Sequence, residues 1–193
     1  TTISKVTVDK AVYERKFDVV IFDEVSMAFI PQIIVAAHLA KSHFVCMGDF
    51  RQLPPIAQGS DDSKLHADIF QYCGITAAVE NGWCHKWMCL LDTQYRMHPH
   101  IADYVSQFMY NGLLVSGTDQ QVKCQPIADK GPIPGMPIGI VDLSGMMTVC
   151  SKTKDNSRIN VLSALMTMRL AIEAAKNNDV GIITPYNAPS RLI

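Results

Sequence analysis

Apolar positions fall along this chain in short dense runs separated by polar punctuation. The densest is Phe17-Asp18-Val19-Val20-Ile21-Phe22, which ends on consecutive apolar residues, mostly β-branched, and stops at two adjacent carboxylates, Asp23 and Glu24. Such a run predicts a strand buried on both faces. It places the acidic pair at the carboxyl edge of a sheet, where open α/β folds put their ligands. Pro31 is suited to open a helix running to about Lys41, and His43 to Met47 is a second apolar run. Phe17 to Met47 is therefore expected to be one strand-helix-strand unit, a right-handed crossover joining parallel strands.

Around this unit the pattern is less regular. Thr1 to Asp9 is polar and β-branched, without a helix cap or turn signal, and reads as the tail of an element. Leu53 to Ser63, with its prolines and glycine, is expected to be loop, and Leu65 to Tyr72 a short helix ended by Gly74. The apolar Trp83 to Leu91 is expected to return the chain to the sheet. His98 to Tyr110 carries Ile101, Tyr104, Val105 and Phe108 at helical spacing, and Asn111-Gly112 is a strong stop. Lys130 to Pro137 reads as a surface linker. Ile138 to Leu143 reads as a strand, Arg158 to Asn177 as a long helix and Val180 to Ile183 as a further buried strand. The order is that of an α/β fold, with a boundary near Leu91 to Tyr95.

Composition narrows the class. At 48% hydrophobic, 18% charged and a formal net charge of −1, the chain reads as globular, and any polyanion site on it must be a local patch. No apolar run approaches the roughly 20 residues of a membrane span and no signal peptide opens the chain, so the expectation is a cytoplasmic protein with no membrane partner. The cysteines, Cys46, Cys73, Cys84, Cys89, Cys124 and Cys150, form no C-x-x-C pair. They read as reduced structural thiols, since zinc on Cys84, His85 and Cys89 would need a fourth ligand from elsewhere.

Two further stretches join the acidic pair, Gly48-Asp49-Phe50-Arg51-Gln52-Leu53-Pro54-Pro55 and Gln94-Tyr95-Arg96-Met97-His98-Pro99. Phosphoryl transfer to water needs a held Mg²⁺, a group that orients the attacking water, and positive charge for the transition state. Asp23 suits the metal and Glu24 the water. Gln52 can report the γ phosphate, Arg96 can be the transition-state cation, and Tyr95 can stack on a base. Plainer readings stand beside these: a charged surface turn at Asp23-Glu24, a proline-rich turn after Gly48, and a helix start at His98-Pro99 with Arg96 paired on the surface.

These motifs, with Asp23-Glu24-Val25-Ser26, Phe108-Met109-Tyr110-Asn111-Gly112 and Gly181-Ile182-Ile183-Thr184-Pro185-Tyr186, occur in the order and spacing of superfamily 1 helicases. The chain resembles the branch containing the nonsense-mediated decay helicase and its DNA-acting relatives. The resemblance implies α/β structure built as parts of two RecA-like P-loop NTPase domains with parallel sheets and the nucleotide site between them. Residues 1–92 would be the C-terminal part of the first and 93–193 the N-terminal part of the second. It implies ATP and Mg²⁺ as cofactors, with Asp23 binding the metal, Glu24 activating water and Gln52 sensing the γ phosphate. Tyr95 would stack on adenine and Arg96 would be the arginine finger. Thr184-Pro185-Tyr186 would lie near nucleic acid or the domain cleft.

The chain departs from the family at Pro189, where Gln is frequent, and at Val25 and Met27, where Ala and Gln are commoner. No G-x-x-x-x-G-K-[ST] phosphate loop occurs in it. The expectation is thus the middle part of an ATP-dependent helicase or translocase that acts on nucleic acid, single-stranded DNA or RNA, and is inactive as this piece alone. Rival expectations are a binding or scaffolding module with the helicase fold, and a remodelling ATPase without unwinding activity.

Overall fold

A computed structural model describes residues 1–57, 66–82, 84–154 and 156–190. Packing divides the chain into two units, Thr1–Leu90 and Leu91–Ile193.

The first unit opens with two short helices, α1 (Ile3–Val8) and α2 (Lys10–Tyr13), where the sequence suggested the tail of an element. The caps are Thr2, whose hydroxyl accepts the Lys5 N–H at 3.3 Å, and Asp9, whose Oδ1 accepts the Ala11 N–H at 3.0 Å. Each side chain satisfies a donor that a helix start leaves unpaired. Strand β1 (Phe17–Phe22), helix α3 (Ile30–His38) and strand β2 (Ala40–Cys46) follow. The strands pair in parallel, with Val20 opposite Phe44 and Phe22 opposite Cys46, as the strand-helix-strand reading requires. Pro31 sits in the first turn of α3, but the helix ends earlier than expected and β2 starts earlier.

One correction concerns burial. Phe22, Phe44 and Cys46 pack against a core of Val25, Ala28 and Ile33, joined by Ile69 and Phe70. The alternate residues Val19, Ile21 and Val45 are exposed, Ile21 to 62%. Among the described residues α3 packs on the Phe22–Phe44 side, so the strands show the alternation of a sheet covered on one face rather than the double burial expected. Cys46 lies within this packing, and burial, with the Cys73 thiol adding to it, pushes its own thiol above the usual range. All six cysteines are free thiols.

Beyond β2, the loop expected at Leu53 to Ser63 is described only to Ala57, without regular structure, and the start of the helix expected from Leu65 lies outside the described residues. Helix α4 (Ile69–Tyr72) is shorter than predicted, and α5 (Ile75–Glu80) follows Gly74, whose φ of 73° makes the turn between them. Residues 84–91 form no strand, and Trp83 lies outside the described residues.

The second unit contains β3 (Thr93–Gln94), α6 (Pro99–Met109), β4 (Val115–Ser116) and α7 (Gln120–Ala128). A hairpin of β5 (Cys150–Lys152) and β6 (Arg158–Asn160), α8 (Val161–Ala175) and α9 (Asn187–Ser190) complete it. β3 and β4 are parallel, β5 and β6 antiparallel. The stop after α6 is made by Asn111 and Gly112, both at positive φ. Ser106 then ties the returning chain to the helix: its Oγ donates to the Leu114 carbonyl at 2.8 Å and accepts the Leu114 N–H at 3.1 Å.

Three predicted elements differ here. Ile138–Leu143 and Val180–Ile183 are not strands, and Ile183 is 98% exposed. Arg158–Asn160 is strand rather than the first turn of the long helix, because it pairs with Cys150–Lys152. An apolar run becomes a strand only where a neighbouring strand takes its N–H and C=O groups. Among the described residues the first two segments have none.

Among the described residues Asp68 is the most deeply buried carboxylate, 1% exposed, and its Oδ1 accepts the N–H groups of Phe70 and Gln71 at 2.7 and 2.9 Å. Asp68→Ala leaves both donors without their acceptor beside the core, so it should lower the stability of the first unit by about 1–2 kcal/mol. Urea unfolding followed by circular dichroism reads that loss.

Candidate functional site

The carboxyl end of β1 is shaped by an unusual backbone. Glu24 adopts φ 54° and ψ 37°, the left-handed region that a residue with a side chain occupies at a cost of roughly 1–3 kcal/mol. Asp23 stabilises this bend, because its Oδ1 accepts the Glu24 N–H at 3.0 Å. The chain then enters a 3₁₀ turn, Val25–Met27, whose Val25 and Ser26 are fully buried.

The end of β2 locks onto that turn. The Met47 N–H donates to the Phe22 carbonyl at 2.8 Å, and the Val25 N–H donates to the Met47 carbonyl at 2.9 Å. Gly48 lies so close that a Cβ on it would sit 3.1 Å from the backbone nitrogens of both Val25 and Ser26. The glycine is therefore a point of backbone approach and does more than end a strand.

Past Gly48 the turn is held from within. Asp49 Oδ1 accepts the Arg51 N–H at 2.9 Å, and its Oδ2 accepts from Gln52 Nε2 at 2.9 Å. Phe50 packs on Phe70 with ring centroids 5.8 Å apart, and Arg51 reaches Glu80 at 3.6 Å. These contacts are those of an ordered turn, the arrangement that the proline-rich-turn reading supposes as well. Asp23, Glu24 and Gln52 thus belong to one edge of the β1–β2 pair, with Gln52 turned back on Asp49.

Whether this edge suits Mg²⁺ can be judged from its donors. They are hard oxygens: the carboxylates of Asp23 and Glu24 and, two residues on in the chain, the buried Ser26 Oγ, which has no hydrogen-bond partner among the described residues. Mg²⁺ takes one or two carboxylates and completes its shell with water and phosphate oxygens. The set fits that ion. Among the described residues no three His, Cys, Asp or Glu side chains gather as a metal cluster, and Cys84, His85 and Cys89 form no zinc site.

In the second unit Tyr95 and Arg96 follow β3, and the side chain of Gln94 shapes their turn. Its Oε1 accepts the N–H groups of Arg96 and Met97 at 2.9 and 2.7 Å, while its Nε2 donates to the Met97 carbonyl at 3.0 Å and to Ser116 Oγ at 2.8 Å. Tyr95 is 70% exposed. Arg96 is exposed too, and among the described residues its guanidinium makes no ion pair. The surface pairing considered for it is not seen.

His98, 4% exposed, caps α6 as its plainer reading supposed. Its Nδ1 accepts the His100 N–H at 3.1 Å and its Nε2 lies 3.0 Å from Gln125 Oε1. With Nδ1 accepting, Nε2 is the ring nitrogen that donates to Gln125. Thr184-Pro185-Tyr186 forms a small turn in which Thr184 Oγ1 accepts the Tyr186 N–H at 3.4 Å.

Sequence reasoning passed over Gln94 and Ser106, which hold the motif residues from beside them. The one signal for Gln94 is its place directly before Tyr95-Arg96. The signal for Ser106 is a polar residue inside the apolar helical pattern.

Two family models, each described as an AAA domain, match the chain over residues 76–193 and 1–59. The chain is similar to the 5'-3' DNA helicase ZGRF1 of Mus musculus, 29% identical over 183 residues that cover 91% of this chain and 9% of the mouse protein. It is similar to the ATP-dependent helicase NAM7 of Saccharomyces cerevisiae, 24% identical over 178 residues, 90% of this chain and 18% of the yeast protein. It is also similar to the DNA replication ATP-dependent helicase/nuclease JHS1 of Arabidopsis thaliana, 26% identical over 193 residues, 93% of this chain and 14% of the plant protein. The chain thus spans less than a fifth of each of these relatives.

The Gln94 clamp is open to test. Gln94→Ala strips partners from the Arg96 and Met97 amides and should cost about 1–3 kcal/mol. Amide hydrogen exchange at Arg96 and Met97 should quicken, while exchange in α8 stays as it was.

Proposed function

Since this chain belongs to the AAA domain family, and within it to the superfamily 1 helicases of the nonsense-mediated decay helicase-like branch, we propose that it carries hydrolytic residues of an ATP-dependent motor that moves on nucleic acid. The observation that carries this reading is the locked edge of the β1–β2 pair, where one backbone arrangement fixes Asp23, Glu24 and Gly48–Gln52 together.

In this reading Asp23 holds Mg²⁺, directly or through water. The ion, when bound, neutralises charge on the β and γ phosphate oxygens. Glu24 accepts a hydrogen bond from the attacking water and orients its lone pair toward the γ phosphorus. Its left-handed backbone directs the side chain differently from a residue continuing the strand, which fits a group aimed at a ligand. Gln52, which donates to Asp49, can exchange that partner for a γ phosphate oxygen and so distinguish the nucleoside triphosphate from the diphosphate. Arg96, without an ion pair of its own among the described residues, supplies positive charge to the transition state, and Tyr95 stacks on the adenine. The nucleic acid is held by its backbone as a single strand, with affinity that falls as salt rises because phosphate contacts release counterions.

The test uses the full-length protein. Glu24→Gln should leave ATP affinity nearly unchanged and lower kcat by about 10² to 10⁴. Arg96→Ala should cost roughly 10³ to 10⁵ in kcat with unchanged nucleic-acid affinity in the absence of nucleotide. Normal kcat in both variants, with only a lowered unfolding midpoint, would show the residues to be structural.

A further inference from the structure

The exposed ring of Tyr95 rests on one particular neighbour. Gln94 pairs with Ser116 across the parallel strands β3 and β4, so Tyr95 and Gly117 leave the two strands side by side. The Gly117 N–H donates to the Gln94 carbonyl at 2.9 Å, which holds the two backbones together at this point. A Cβ built on Gly117 would lie 2.5 Å from Tyr95 Cδ1 and 3.1 Å from Cζ, with Cε1 nearer still. The space of the missing side chain is filled by the tyrosine ring.

The backbone does not demand this glycine. Gly117 is outside the left-handed range in which Gly74, Gly82, Gly112, Gly131 and Gly135 lie, so any residue could adopt its conformation. The three atoms that an added Cβ would approach most closely all belong to the ring. An added methyl meets the far end of a side chain that can rotate, not a fixed backbone atom, and so the ring moves while the strands stay.

The geometry points to Gly117 as a positioning residue for nucleobase binding: its bare backbone seats the Tyr95 ring in the orientation that stacks on the adenine of ATP. The inference rests on the stacking role proposed for Tyr95 and adds a residue that touches no ligand itself. An alanine at position 117 turns the ring away and removes the base's share of the affinity, while the polyphosphate's share is untouched. A flat aromatic surface helps a base only when it is presented at the right angle, and ordering it in advance saves the entropy of fixing it on binding.

Two measurements separate this inference from the reading beneath it. The first needs no nucleotide. In NMR spectra of the 193-residue chain, the Gly117 α-protons should be displaced by the ring current, and Tyr95→Ala should return them toward ordinary glycine positions. Unmoved resonances would overturn the inference. The second is a binding cycle in the full-length protein with ATP and inorganic tripolyphosphate. Gly117→Ala should weaken ATP roughly 5- to 100-fold, the range expected for one base–aromatic stack. It should change tripolyphosphate affinity by no more than about twofold and leave ATP affinity unaltered when added to Tyr95→Ala.

Equal losses for ATP and tripolyphosphate, or a full further loss in the Tyr95→Ala background, would overturn the inference and assign Gly117 to the loop's stability. If Tyr95→Ala moves the Gly117 resonances but not ATP affinity, the stacking role of Tyr95 falls, and the role of Gly117 toward ATP falls with it.

Discussion

The first unit depends on how two parallel strands are joined just beyond their last paired residues. The Met47 N–H reaches the Phe22 carbonyl and the Val25 N–H reaches the Met47 carbonyl. These bonds continue the ladder into the segments that carry Asp23-Glu24 and Gly48-Asp49. Backbone groups at a strand's end must otherwise find water. Here each segment satisfies the other, which requires the backbones to approach within a distance that only glycine at position 48 permits without displacement. The buried Val25 serves both purposes, since its N–H closes the lock and its side chain anchors the core with Ala28 and Ile33. The acidic pair is thereby tied to the buried core formed by Val25, Ala28 and Ile33. The left-handed conformation of Glu24 is affordable because packing on Val25 and Ser26 overdetermines the turn that follows it.

The second unit solves a similar problem with a side chain. Its strands β3 and β4 are too short to order the residues beyond them by pairing alone. Gln94 bonds to both flanks of its own turn and to Ser116 on the neighbouring strand. Ser106 does the same for the chain entering β4. Polar side chains with every bond made are rigid supports, and these present Tyr95 and Arg96 outward, where a ligand can meet them.

What the sequence made legible follows the same physics. The β1–α3–β2 unit could be read because β1 is dense with β-branched residues, His43 to Met47 is a second apolar run, and the helix between them has a proline in its first turn. The helix over Pro99–Met109 could be read from its spacing and its Asn-Gly stop. The motif residues could be chosen because their chemistry is specific at that spacing. Pairing was not legible. Ile138–Leu143 and Val180–Ile183 have the composition of strands, yet among the described residues nothing lies beside them to take their hydrogen bonds. The polar Cys150–Lys152 and Arg158–Asn160 have little strand character and pair all the same. Burial on both faces was inferred for β1 from its apolar run, but covering a face depends on residues far away in sequence. The short helices α1 and α2 depend on local caps at Thr2 and Asp9, ordinary polar residues whose role shows only when the backbone is in place.

The close approach of Gly48 to Val25 and Ser26 positions the carboxylates and the glutamine as one body. Gly48→Ala probes this approach, since the nearest atoms the added methyl meets are the Val25 and Ser26 nitrogens and the Val25 side chain. The decisive measurement is the amide exchange of Val25 and Met47 together with ATP turnover in the same full-length variant. If this approach positions the site, exchange at both amides should quicken and kcat should fall about tenfold or more, since small misplacement of catalytic groups is costly. Wild-type turnover with unchanged Val25 exchange would contradict it.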